Sequence, residues 1–301
     1  MITLKSDQLR VHIAEPGEHP NDGCRFDRAG FITEVVLNNE RTFCANEPKN
    51  LSHPTTGGKG FCSEFQPTFD DLAAPGERYP KFGVGLIRKE TDEPYAFYGK
   101  YDIEYFPVTF SCTDSEAVFE TAPIPCKGYA LKAWKKITVT GNEILTEHRV
   151  ENVGEKTLEL RDYCHNFISV DGMAISPDYR IDFPNLRDFG NEELAGAGGY
   201  TDHCNMIGSG HGIGFKQAEV GVSMHDPDLT GMDTTLPFRW KVEHKGARAY
   251  VEGEDSYVPC KIVVWTTDHI ISPENFNAIT IAPGETAAWS RKLRFVDEMA
   301  E

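Results

Sequence analysis

The chain has 301 residues, 40% of them hydrophobic and 26% charged, enough to bury a large core and balanced like a soluble globular protein. Its 47 acidic against 30 basic side chains give a formal net charge of −17, which repels phosphate backbones and anionic lipid, so nucleic acid and membrane are not expected partners. No run approaches the roughly 20 apolar residues that span a bilayer. Met1-Ile2-Thr3-Leu4-Lys5-Ser6-Asp7 lacks the apolar core of a secretory signal, which favours a cytoplasmic protein.

Along the chain, two charged residues stand early among aromatics and glycines: Glu64 in Gly60-Phe61-Cys62-Ser63-Glu64-Phe65 and Lys81 in Lys81-Phe82-Gly83-Val84-Gly85-Leu86. Such surroundings suit a binding cleft, where rings stack on sugars and charges fix hydroxyls. A solvated strand end accounts for Lys81 equally well. Period-two alternation then recurs, broken by turn residues, at Ala117 to Thr121, Tyr129 to Val139 and Ile144 to Val150. Thr140-Gly141-Asn142-Glu143 and Asn152-Val153-Gly154-Glu155 are turns, and Thr157 to Arg161 leads up to His165. Consecutive strands with short turns predict an antiparallel meander.

His165-Asn166-Phe167 ends that strand before the turn Ser169-Val170-Asp171-Gly172. A strand-end His on a sheet face is placed to meet a ligand and can trade protons near neutral pH, although a core His bonded to backbone fits as well. The region Asp182 to Gly214 reads as loop-rich, and its Gly208-Ser209-Gly210-His211-Gly212-Ile213-Gly214 run reads as a hairpin or strand bend, not a nucleotide site, because no helix follows it. The C-terminal third alternates again, at Arg248 to Glu252, at Lys261 to Trp265, and in the last segment, where Trp289, Arg291, Leu293 and Phe295 share a face. Ser272-Pro273-Glu274-Asn275-Phe276 lies between strand-like segments, so Glu274 is either a base partly desolvated beside Phe276 or a surface carboxylate in a turn. No linker splits the chain, and one all-β domain over residues 1–301, a large sandwich, is expected.

The eight cysteines show no C-x-x-C spacing and the ten histidines no H-x-H or H-E-x-x-H spacing, so no dedicated metal site is expected and the thiols are expected free.

Several segments, taken together and in order, resemble the galactose mutarotase-like (aldose 1-epimerase) superfamily: Gly23 to Ile32, Gly60 to Phe65, Lys81 to Leu86, Gly128 to Lys132, Tyr163 to Phe167, and Ser272 to Phe276 with Pro283-Gly284-Glu285. The resemblance implies a single-domain antiparallel β-supersandwich with a sugar cleft, a His acid and a Glu base. His165 and Glu274 match those roles, and Glu64, Lys81 and Lys132 become candidates for binding hydroxyls or an anionic substituent. It also implies an isomerase that interconverts sugar anomers and needs neither a metal nor an organic cofactor. The alternatives are a non-catalytic carbohydrate-binding protein on the same fold and a polysaccharide lyase-like activity. The mechanism leads to the expectation that His165 and Glu274 face one cleft, several ångströms apart, without a direct salt bridge.

Overall fold

A computed structural model describes residues 1–18, 23–47, 56–194, 206–217 and 221–299. Their regular structure is antiparallel β, apart from one short 3-10 turn at Asp70–Leu72. A nine-stranded sheet runs, in spatial order, through Ile2–Lys5, Leu9–Ala14, Phe31–Leu37, Phe61–Gln66, Leu158–Asn166, Ile271–Ile281, Lys261–Thr266 and Ser223–His225, with Arg41–Thr42 paired beside Phe31–Leu37. A ten-stranded sheet faces it. Its centre is Ala249–Asp255, Thr286–Asp297, Glu143–Asn152 and Leu131–Thr140. Arg78–Lys81, Gly85–Arg88 and Ile103–Tyr105 form a small third sheet. No helix among the described residues is long and apolar enough to cross a membrane.

The alternation read from the sequence does its work in the second sheet. In Leu131–Thr140 the odd-numbered side chains point inward and the even-numbered ones outward, as a two-residue period requires. Ile137, Ile144, Val251 and Phe295 thereby meet Leu4, Val11, Val35 and Phe61 of the first sheet in one core. Phe295 packs against Phe43 and Phe61 at centroid distances of 5.1 and 5.9 Å. Each such side chain contributes about 1.5–3 kcal/mol when fully buried.

In the first sheet alternation fails at one end, and that failure marks the site. Leu158–Asn166 alternates buried and exposed at first, then is buried at every position from Asp162 onward. Its neighbours behave alike: Phe61–Gln66 is buried up to Phe65 and Ile271–Ile281 up to Asn277. Three adjacent strands are therefore covered on both faces at the same place. The cover includes the segment around Arg25 and Phe26, Tyr95, and the hairpin that carries Lys81. Gly83 in that hairpin has φ 82°, and a Cβ there would come within 2.9 Å of Asp27 Cα, so a side chain would push the hairpin off the sheet.

One local expectation is corrected. Glu274 is not in a connection but inside the long strand Ile271–Ile281. The glycine run does form a hairpin, Met206–Ser209 with Gly212–Phe215, turning at Gly210 with φ 58°, while residues 195–205 lie outside the described residues.

Candidate active site

Register brings the chemistry together. Leu158–Asn166 sets Tyr163 opposite Glu64 and His165 opposite Cys62 on one side. On the other side it pairs Asp162 with Asn277, and beyond the strand end Ile168 pairs with Ile271 in the same register, which sets His165 opposite Glu274. The regular ladder is interrupted between these two points, where Pro273, opposite Asn166, has no N–H to give. Asn166 fills the gap, its side-chain amide donating to the Pro273 carbonyl while its backbone N–H donates to Ser272 Oγ at 3.1 Å.

His165, 2% exposed, is bracketed by two carboxylates. Its Nδ1 lies 2.8 Å from Glu274 Oε1 and its Nε2 3.1 Å from Glu64 Oε2. Ionised carboxylates only accept hydrogen bonds, so a ring that satisfies both must carry a proton on each nitrogen. Burial and Arg25 work against that charge. Glu274 and the two hydrogen bonds outweigh them, and the His165 pKa lies above the ordinary histidine value.

Glu64 is 3% exposed and fully engaged. Oε1 accepts from Lys81 Nζ at 3.0 Å, and Oε2 accepts from Tyr163 Oη at 2.7 Å and Arg25 Nε at 2.9 Å as well as from His165. Burial alone would raise the carboxyl, but Lys81 and Arg25, with His165, hold it well below the usual range. Arg25 Nη1 also lies 3.5 Å from Glu47, and its guanidinium stands 4.4 Å from the centroid of Phe97. Glu274 differs. Oε1 takes His165 and the Ser272 hydroxyl at 3.1 Å, while Oε2 has no hydrogen-bond partner among the described residues. Beside it across the strand pair stands half-buried Trp265, paired with Ser272 and therefore on the same face. Phe26, Tyr163 and Phe167 complete an aromatic frame around the imidazole, at centroid distances of 5.2, 4.6 and 5.5 Å.

Four of the five residues singled out from the sequence thus lie in one cluster, but not in the expected arrangement. His165 and Glu274 form a direct ion pair where a gap was expected, because their register leaves the two side chains side by side. Glu64 and Lys81 spend their charges on each other. Lys132 is elsewhere: it is exposed on the outer face of the other sheet, in a shallow groove with Glu120, Trp134, Arg149 and Glu151. Arg25, Tyr163 and Trp265 were not singled out. Tyr163 was within reach, since it alternates with His165 on one strand face; a lone Arg25 in an aperiodic segment gave no signal. Among the described residues no group of His, Cys, Asp and Glu side chains is arranged to hold a metal ion.

No protein-family model matches the sequence, and no curated protein does. Solved structures do match in fold. A galactose mutarotase-like protein from Lactobacillus casei superposes with a TM-score of 0.60 at 11% identity, covering 98% of this chain and 100% of the other. A galactose mutarotase related enzyme from Lactobacillus acidophilus gives 0.60 at 10% identity over 98% and 97% of the two chains. A GalM/aldose epimerase homologue from C. elegans gives 0.55 at 11% identity over 98% of each. The chain shares the fold of these galactose mutarotase-like structures.

Proposed function

We propose that this protein interconverts the α and β anomers of a free hexose or a closely related sugar, with Glu274 as base and His165 as acid. The observation that carries the reading is the paired imidazole and carboxylate, with one carboxylate oxygen unpartnered among the described residues and beside a half-buried tryptophan. Without sugar, the Nδ1–H of His165 and Oε1 of Glu274 satisfy each other. A pyranose entering between them would replace that bond, its ring oxygen accepting from Nδ1 and its anomeric hydroxyl donating to the carboxylate. Trp265 would offer a ring face to the sugar.

Glu274 then takes the O1 proton while His165 protonates the ring oxygen O5. The C1–O5 bond breaks as C1=O1 forms. After rotation about C1–C2, the C5 hydroxyl attacks the other face of the aldehyde, Glu274 returns its proton to O1 and His165 recovers its own from O5. Atoms and charge balance over the cycle. Positioned acid/base assistance of this kind is typically worth about 10²–10⁴-fold. The reaction would run in a reducing cytoplasm.

A second reading, a carbohydrate-binding protein without activity, is favoured by the closed ion pair, which a purely structural role would also produce. Polarimetry of freshly dissolved single anomers separates the two. Acceleration over buffer that falls about 10²-fold or more in Glu274→Gln and in His165→Gln supports the isomerase; saturable binding with no acceleration over buffer rejects it.

A further inference from the structure

The anomer reading leaves a charge problem, and the structure carries an answer to it. His165 owes its double protonation to two acceptors, and turnover takes one of them away when Glu274 turns to the sugar. We propose that Glu64 is the positioning residue of the site, holding the Nε2–H of His165 while Nδ1 serves the substrate, and that Arg25 and Lys81 act on Glu64 and not on the sugar. This rests on the anomer-interconverting reading above.

Geometry makes the case. Glu64 cannot leave its place as Glu274 can. Both its oxygens are engaged, Oε1 by Lys81 and Oε2 by Arg25, Tyr163 and His165, and it is 3% exposed under the Lys81 hairpin. Lys81 has no route to solvent at 0% exposure, so its charge serves the interior. Arg25 is shared between Glu64 and Glu47 and lies against Phe97. A negative charge fixed by buried Lys81 and partly buried Arg25 cannot take up the His165 proton, so Glu64 directs that proton without competing for it. The other titratable groups facing the ring are Glu274 across the strand pair, Tyr163 on its own strand, Arg25 from the covering segment and Cys62 opposite, whose buried thiol is held well above its ordinary range and stays neutral.

Tyr163 provides a test with a sign. Its hydroxyl, Arg25 and His165 all donate to the same oxygen of Glu64. Removing the hydroxyl concentrates Glu64 on the remaining donors and should strengthen its hold on His165, whereas removing the carboxylate charge should weaken it. The experiment follows the imidazole titration of His165 by nitrogen-15 NMR in the full chain, with the signal assigned by its loss in His165→Gln, alongside the pH dependence of kcat. In Glu64→Gln the His165 midpoint should fall by about one pH unit, a tenfold change in its protonation equilibrium. The limb of the kcat profile set by the protonated imidazole should move with it, and KM should change less than about threefold. In Tyr163→Phe the midpoint should rise. Because Glu64→Gln leaves buried Lys81 without its counter-charge and Arg25 with Glu47 alone, Glu64→Gln with Lys81→Met restores the balance, and the same fall is expected there. A midpoint unmoved in the Glu64 variants, or lowered in Tyr163→Phe, overturns the proposal. If wild-type protein shows no acceleration of anomer exchange, the functional reading fails, and the titration still decides whether Glu64 governs His165.

Discussion

Two buried histidines, one on either face of the first sheet, have opposite surroundings and opposite chemistry. His165 lies on the outer face of the first sheet between carboxylates. His148 lies between the sheets, 3% exposed, with its ring stacked on Trp289 at 5.0 Å and its Nε2 3.3 Å from Arg291 Nη1. Burial, with Lys135 and Arg291 close by, holds His148 well below the ordinary histidine value, so it is neutral and accepts from Arg291. The same burial is outweighed at His165 by Glu274. Burial alone therefore says nothing about a histidine's role; the sign of the neighbouring charge does. The strand Leu158–Asn166 separates the two environments, giving Tyr163 and His165 to one face and Asp162, Cys164 and Asn166 to the other.

The largest effect should come from the inner face. Arg291 pairs with Asp162, lies 3.9 Å from Asp255 and donates to Tyr257 at 3.1 Å, all in the interior beside a cavity of about 30 Å³. Asp162 is fully buried and its other carboxylate oxygen has no partner among the described residues. Arg291→Met would leave that charge uncompensated and should cost about 3–5 kcal/mol in urea unfolding. A loss under about 1 kcal/mol would mean that the inner network is not the structural element this comparison makes it.

His148→Phe keeps the stack on Trp289 but removes the acceptor for Arg291. It should cost about 1–2 kcal/mol and leave the rate of anomer exchange within about twofold of wild type, against the loss of about 10²-fold or more expected for His165→Gln. A His148 variant that abolishes turnover with its fold intact would move the active site to the inner face.

The two histidines should also leave opposite marks on stability against pH. For His148, whose folded pKa is depressed, the unfolded chain binds the extra proton, so its contribution is present above about pH 6.5 and is lost as pH falls through the folded value. For His165, whose folded pKa is raised, the contribution is present below about pH 6.5 and is lost as pH rises through the folded value. Asp255, pushed up to about 6 by burial, adds stability lost as pH rises through that value, so each histidine is read from the difference between variant and wild type. In His148→Phe the acid-side loss should flatten by at most about 1.4 kcal/mol per pH unit. A parallel offset at all pH values would show that His148 does not titrate with folding.

How much of this was legible in the sequence differs between the two faces. The second sheet alternates because one of its faces meets solvent, so Tyr129 to Val139 and Ile144 to Val150 were read nearly to their observed bounds of Leu131–Thr140 and Glu143–Asn152. Glu274 was misplaced into a connection for the opposite reason. Its strand is covered on both faces, which removes the alternation, and Pro273, Asn275 and Asn277 have turn-like composition. Type and strand-end position made His165 noticeable. Its direct contact with Glu274 was not legible, because 109 residues separate them and only the register of the folded sheet sets the distance.

Lys132 gives the smallest expected effect and the cleanest control. It was grouped with the sugar-binding candidates, yet its own strand already assigns it the other way: Leu131 is buried and Lys132 exposed, so the pleat points the lysine out of the sandwich. Its groove holds Trp134, Glu120, Arg149 and Glu151 on the outer face of the ten-stranded sheet, whereas His165 belongs to the nine-stranded one. An exposed lysine without a fixed partner contributes little to folding, so Lys132→Ala should shift stability by no more than about 0.5 kcal/mol. Its charge is far enough from His165 for water and salt to screen it, so kcat and KM for anomer exchange should stay within about twofold of wild type in ordinary buffer. A tenfold rise in KM in a correctly folded Lys132→Ala protein would mean that sugar reaches the second sheet during turnover, and would break the assignment of substrate contact to the outer face of the first.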